Sequence, residues 1–430
     1  MLLIYAPQLT PRLQYTFKVV LQNWCGWRIR FTNAREEFEQ CDEPKLAYVP
    51  ATAASSGDWK AHNLLFEEGL DKEYYETNQS FKSLFPGGIE ASQSVDWFAA
   101  IFFNISRYEE WVNPHRDEYG RYEPHESILY KQGLLSRPIV DEWVIALQNY
   151  LIGLYPKLAA TLFKRKYQAA FSIDVDRPFL YKGRGLINRV AVLGKAMLEG
   201  RWKDIHEHLN VWIKRTKDPY DHFDAMIYHA TLEGYSPIYF FHVGSYEELD
   251  KNVRPDYSVY GRMIRLVPEA AWHASVRSTQ DTSAGEKELS RLRKWRREGI
   301  TRVRQHFLVD DLVNRPRHLE SMGITADYSM GYAQQNGFRA GTGYSFPHYD
   351  FLTETALSIV HVPFAIMESA YQSYLPYQSM EMWAQWEQII ENTKAANGRL
   401  EIAFHWHSLS DHGPYEGWRA IYNKLVEKAI

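Results

Sequence analysis

Apolar and polar positions alternate in two different ways along this chain of 430 residues. In the first part, Leu2 to Tyr5 reads as a strand and Thr10 to Asn23 as a helix with Leu13, Phe17, Val20 and Leu21 on one face. Trp27 to Phe31 and Ala47 to Val49 read as further strands, and Asp96 to Tyr108 and Ile139 to Leu154 carry helical spacing. Between those helices, Glu109 to Pro138 is rich in Pro, Gly, Arg and His and predicts a long irregular excursion. Its His115 and His125 have no partner at ligand spacing and read as solvated loop residues. A helix ending near Leu162 and the basic run Lys164-Arg165-Lys166 mark a boundary, so residues 1–165 form an expected α/β domain and 166–430 a second one.

From Tyr167 onward, strands and helices take turns. The apolar run into FSIDVDRP (Phe171 to Pro178) is followed by a long helical stretch over about 186–233, then the strand Pro237 to Val243 and the strand Glu269 to Ala274. Next come the helix Glu286 to Glu298, the strand Ile300 to Leu308 and the helix Leu312 to Met322. Ile324 to Tyr328, Gly337 to Ala340 and Ser358 to Phe364 are strand candidates; Met380 to Ala395 is a helix, Leu400 to His407 a strand and Tyr415 to Lys428 the closing helix. About seven β/α steps in series predict a parallel sheet closed as a barrel. In such folds, active residues gather at the C-terminal ends of the strands.

Composition narrows the function classes. The formal net charge of -4, from 49 Lys+Arg against 53 Asp+Glu, gives no basic excess to hold a nucleic acid or an anionic membrane. No apolar run approaches a membrane span. Cys25 and Cys41 are the sole cysteines, too few for a disulfide framework, and the N-terminus lacks a basic n-region; a cytoplasmic protein is the expectation. The 29 Tyr and 14 Trp fit a large core or a sugar-stacking cleft.

The strand ends hold the chemistry. In FSIDVDRP, Asp174 and Asp176 lie two apart and share one face of a strand, where two carboxylates repel unless a cation or a shared proton compensates them. Later strand ends supply His273, then Arg304 and His306, then Asp327, and finally His405 and His407. Histidine and carboxylate from several strands can converge on one divalent cation, and mixed N/O ligation suits zinc or a similar first-row metal. Arg304 can pair with one carboxylate while His306 approaches the metal or the substrate. Of the pair His405 and His407, the more terminal His407 is expected to reach the centre. Trp272 and Trp406 sit beside the proposed ligands and are expected, with Asp327, on the substrate side.

In their order, FSIDVDRP, DPYDHFDAMIYHATLEGYSPIYFFHVG, WHASVRST, RVRQHFL, GITADYSMGYAQQNGFRAGT and FHWHS resemble the polysaccharide deacetylase family (NodB-type, carbohydrate esterase family 4-like), over roughly Tyr167 to Ile430. The resemblance implies a distorted (β/α)7 barrel preceded by an uncharacterised N-terminal α/β domain. It implies metal-dependent removal of an N- or O-linked acetyl group from a carbohydrate or glycan precursor. By the same resemblance Asp174 is the general base, Asp176 and His273 are metal ligands, Arg304 pairs with the base, and His407 is the general acid.

The sequence departs from the family pattern at one position. Four residues after His273 the family places a second histidine, and here stands Arg277, which cannot ligate a cation. His306 on the neighbouring strand is therefore expected to complete the set Asp176, His273 and His306. Two other readings stand beside the deacetylase: an inactive barrel that binds a glycan or a partner in surface-polysaccharide metabolism, and a metal-independent amidohydrolase acting on a small cyclic amide.

Overall fold

A computed structural model describes residues 1–78, 80–88, 95–183, 186–250, 258–296, 299–375 and 379–430. The chain is mixed α/β and builds two sheets. The first holds β1 (Leu2–Tyr5), β2 (Ile29–Thr32), β3 (Lys45–Pro50) and β4 (Trp59–Ala61), parallel throughout in the order β2-β1-β3-β4. Its first helix begins at Pro11, whose missing N–H costs nothing at that position, and Thr10 caps it by accepting from the Leu13 N–H at 3.2 Å. The helix expected over Thr10 to Asn23 is regular only to Phe17 and then widens into π-helical turns over Lys18–Trp24.

The second sheet has nine strands: β5 (Gln168–Val175), β6 (Ile238–His242), β7 (Glu269–Ala274), β8 (Arg302–Gln305), β9 (Ala326–Asp327), β10 (Phe346–Asp350), β11 (Thr355–His361), β12 (Ile366–Met367) and β13 (Arg399–His405). Their order is β10-β11-β9-β8-β7-β6-β5-β13-β12, parallel from β11 to β12, with β10 antiparallel at one edge. The parallel β/α alternation is present, but the expected barrel is not closed: β10 and β12 stand at opposite edges, and no strand pairing among the described residues joins them.

Local expectations moved for physical reasons. The long helical stretch splits into Leu186–Leu198, Trp202–Trp212 and Phe223–Leu232, the first break falling at Gly200 with φ 68°. Gly337 to Ala340 is not a strand; Gly337 has φ 140°, and the segment runs across the first unit, with the Phe338 N–H donating to Leu135 O at 2.8 Å. The helix expected over Glu286 to Glu298 spans Thr282–Trp295, and its predicted last residues lie outside the described ones.

Two large hydrophobic clusters form the interior. One collects residues from 2–158 but also Leu312, Met330, Tyr332, Ala340, Phe346, Tyr349 and Phe351; the other fills the space between the nine-stranded sheet and its helices. The chain from Met330 to Ser345 thus leaves the large sheet and packs into the first unit, and β10 at the sheet's edge stays packed against that unit through Phe346 and Tyr349. Polar ties hold it there: Tyr15 Oη donates to Pro347 O at 2.7 Å, Trp24 Nε1 to Ser345 O at 3.0 Å, and Arg12 pairs with Glu354 at 2.6 Å. Among the described residues no helix is long and apolar enough to cross a membrane.

The deepest of these ties is Glu110, buried between Arg107 (2.8 Å) and Arg339 (2.5 Å). Burial opposes its ionisation, but the guanidinium groups of Arg339 and Arg107 outweigh this and hold its pKa at about 2, against an ordinary 4.5. Glu110→Gln leaves the buried Arg339 without its carboxylate, while Arg107 keeps Glu109 at 2.8 Å, and should lower stability by roughly 3–5 kcal/mol at neutral pH, measured by urea unfolding. Because the folded-state pKa is depressed, the wild-type contribution is complete above the unfolded value and fades as pH falls from 4.5 towards 2. The gap between variant and wild type should close across that window.

Candidate functional site

Register places the chemistry. Parallel pairing sets His405 of β13 opposite Asp174 of β5, and sets His242, His273 and Arg304 of β6, β7 and β8 side by side. Asp176 follows immediately after β5. Asp174, Asp176 and His273, together with His306, His405 and His407, line a cavity of about 380 Å³ at the C-terminal ends of the strands, with Arg304 buried behind them.

Asp174 is buried and held by Arg304, whose Nη1 donates to Asp174 Oδ1 at 2.7 Å. The same guanidinium donates from Nη2 to Ser172 Oγ at 2.8 Å and from Nε to Tyr328 O at 3.0 Å. It also lies over the rings of Phe240 and Phe364, at 4.5 and 5.3 Å.

Asp176 faces the imidazoles. Its Oδ1 lies 3.1 Å from His273 Nε2 and 3.8 Å from His306 Nε2; its Oδ2 lies 3.9 Å from His405 Nε2 and 4.0 Å from His407 Nδ1. Burial raises its pKa, yet His306, His273 and His405 outweigh that and hold it well below the usual carboxylate range. His273 and His306 are oriented through their other nitrogen. His273 Nδ1 contacts Arg304 O at 2.9 Å, and His306 Nδ1 contacts Asp250 Oδ1 at 2.9 Å. Asp250 is itself fixed by the backbone N–H groups of Val276 and Arg277.

Asp176, His273 and His306 therefore offer three ligand atoms within 4.8 Å of one another. Asp176 Oδ1 and His273 Nε2 are buried and, although 3.1 Å apart, neither makes an aligned hydrogen bond. Buried polar atoms left in that state fit a cation, and Nδ1 contacts that leave Nε2 facing inward are the usual support of a ligating imidazole. The residues present thus fit a divalent metal. Arg277, by contrast, points outward, half exposed and paired with Glu247 at 2.6 Å.

The late strand delivers both of its histidines. His405 Nδ1 and backbone N–H meet Glu368 Oε1 at 3.0 and 2.8 Å. Burial disfavours its charge, but Glu368 lifts its pKa to about 10. Burial, then the neighbouring His405, push His407 down to about 4. Glu368 and Asp250 were not expected from sequence: MES and ELD carry no motif, and only the fold brings them behind a histidine.

Three expected substrate contacts are corrected. Trp272 is 1% exposed and Trp406 0%, and neither lines the cavity. Each sits next to a cavity histidine: strand alternation sends Trp272 to the opposite face of β7, and Trp406, in the turn that follows β13 at φ -53° and ψ -45°, points into the core. Trp272 Nε1 donates to Glu288 Oε2 at 3.0 Å; Trp406 Nε1 donates to Tyr220 O at 2.8 Å while its ring stacks on His222 at 4.0 Å. Asp327 is buried away from the cavity, accepting from Arg315 Nη1 at 2.8 Å and from Ser329 Oγ at 2.5 Å. His115 and His125 are exposed in the excursion, with His115 Nε2 3.0 Å from Glu123.

Comparison with known proteins matches residues 2–156 to a family of unknown function (DUF7033). No curated protein matches. Two solved structures are similar. One is a candidate polysaccharide deacetylase from Mycobacterium smegmatis, at 11% identity over 62% of this chain and 84% of that one, with a TM-score of 0.40. The other is the polysaccharide deacetylase of Bacillus cereus, at 8% identity over 62% and 88%, with a TM-score of 0.30. Both scores are low, and the functional reading rests on the site's own residues.

If Trp272 serves packing, Trp272→Phe should lower stability by about 1–3 kcal/mol, because the buried Glu288 loses one of its donors and keeps only the hydroxyl and backbone N–H of Ser275. Metal content should not change. A fall in metal content at unchanged stability would return Trp272 to the site.

Proposed function

We propose that this chain is a metal-dependent hydrolase that removes an acetyl group from a carbohydrate or glycan precursor. One observation carries the reading: a ligand set of Asp176, His273 and His306 lies in the same cavity as an Arg304-held carboxylate, Asp174, and a carboxylate-backed imidazole, His405. Zinc or another first-row divalent ion suits two nitrogens and one oxygen. Such an ion, held there, would lower the pKa of a water molecule and polarise the acyl carbonyl.

The chain's own groups then divide the proton work. Arg304 binds Asp174 Oδ1 and fixes the direction of that carboxylate, which takes the proton from the attacking water. His405 has its Nδ1 on Glu368 and its Nε2 towards Asp176, so a proton on Nε2 faces the reacting centre and passes to the leaving amine or alkoxide. His407 is the family-based choice for that acid. The Glu368 contact favours His405, with His407 completing the wall beside Tyr415, 5.0 Å from its ring. A cytoplasmic, soluble or lipid-linked sugar is the substrate class we favour; free Cys25 and Cys41 support a reducing compartment.

Elemental analysis of the purified protein tests the metal. About one transition metal per chain, lost in His306→Ala, is expected for a three-ligand protein site. No metal in wild type, even after incubation with zinc, nickel and cobalt, overturns the hydrolytic mechanism and leaves a glycan-binding fold. For the acid, His405→Ala should reduce kcat on an acetylated oligosaccharide by about 10²–10⁴-fold, with a smaller loss in His407→Ala. The reverse order would assign the acid to His407.

A further inference from the structure

The first unit reaches into the cavity. Its segment 113–122 crosses to the C-terminal ends of the large sheet, and Tyr119 and Arg121 line the same cavity as Asp174, Asp176 and His306. The segment is built to hold its shape. Asp117 Oδ1 accepts from the backbone N–H groups of Tyr119 and Arg121, both at 2.9 Å, and its Oδ2 accepts from Arg121 Nε at 2.7 Å and from Gln334 Nε2 at 2.9 Å. Gly120 makes the turn at φ 85°.

Arg121 joins this turn to the strand end that carries His306. It is 5% exposed, its Nη1 donates to Tyr374 Oη at 3.0 Å and approaches Phe307 O at 3.5 Å, and its guanidinium lies over the rings of Tyr119 (4.8 Å) and Tyr374 (5.3 Å). Phe307 and Leu308, directly after His306, both hold left-handed backbone, at φ 58° and 55°. Two successive non-glycine residues in that region are strained and persist only where the surroundings fix them, as they do at ligand sites. The turn carries the Phe307 ring to within 5.7 Å of Tyr119.

We propose that Tyr119 is a substrate-binding residue contributed by the first unit, stacking on a pyranose ring of the glycan, and that Arg121 is the positioning residue that fixes it. A pyranose presents an apolar C–H face to an electron-rich ring and hydroxyl groups to its rim. A cavity with Tyr119, Phe307, Tyr374 and Tyr415 on its walls and charged groups at its floor matches that division. The buried Trp272 and Trp406 cannot serve it. This inference rests on the deacetylase reading and gives residues 113–122 a role in choosing its substrate.

The test titrates the β-1,4-linked N-acetylglucosamine trimer into full-length protein by calorimetry, in an Asp174→Asn background that prevents turnover. Tyr119→Ala should weaken binding about 2- to 10-fold and Tyr119→Phe should retain it, since the ring and not the hydroxyl makes the contact. In the Asp174 protein, Tyr119→Ala should raise KM with kcat unchanged. Equal binding by Tyr119→Ala and its parent, equal weakening by the Phe and Ala variants, or no binding of the trimer by the parent overturns the inference. Metal content of the same preparations separates the two ideas: metal without trimer binding removes Tyr119's role and keeps the hydrolase, while Tyr119-dependent binding without metal does the opposite.

Discussion

The buried pair Arg304–Asp174 is the constraint on which the large sheet's polar end depends. Both partners are fully enclosed, and an unpaired charge in that position would cost several kcal/mol. The guanidinium meets the cost by spending its donors on three different places: Asp174 and Ser172 of β5, and the carbonyl of Tyr328 after β9. Phe240 of β6 and Phe364 cover its faces. One side chain therefore fixes how the strands stand relative to one another, and an ammonium, with no planar fork, could not replace it. The carbonyl of the same residue contacts His273 Nδ1, so Asp174 and His273 share one support.

On the proposed reading, Arg277 in place of a second histidine goes with a change of support as well as of ligand. The position four residues after His273 is a surface arginine, and its backbone N–H, with that of Val276, is spent on Asp250. Asp250 in turn meets His306 Nδ1 and turns Nε2 towards Asp176. The backbone that follows His273 still serves the site, through a carboxylate and a histidine from another strand. A ligand moved between strands needs this kind of backing, because an imidazole held at one nitrogen alone is free to rotate away.

Much of this arrangement was legible in the chain. The two-residue period placed Asp174 with Asp176, and register did the rest, since neighbouring parallel strands bring their C-terminal ends to one level. The same period, applied consistently, also excludes Trp272, one residue from the inward His273, whereas Trp406 is turned inward by the helical backbone that follows β13. What the chain did not show is long-range. Glu368 and Asp250 sit in stretches without a pattern, and the strained turn at Phe307 follows a strand that reads as continuing to Leu308. Closure was overestimated for a related reason: β/α alternation specifies parallel neighbours, while one edge of the sheet is β12, a strand of two residues whose apolar signal is too brief to read, and the other is the antiparallel β10.

The two units are harder to separate in space than in sequence. Residues 312–351 supply seven members of the first cluster, so the first unit's core is completed by the edge strand β10 and by chain that runs between strands of the large sheet. Arg339 from that excursion pairs with Glu110, and Arg121 from the first unit contacts Tyr374 and Phe307 beside the ligands. Contacts thus run in both directions, one setting the first unit's interior and the other the cavity's wall. A small flanking domain joined by a flexible linker would leave the mouth of the sheet open to any polymer. Interlocking the cores instead places Tyr119 in the wall of the cavity that holds Asp176, so the packing of the first unit has a consequence for the shape of that cavity.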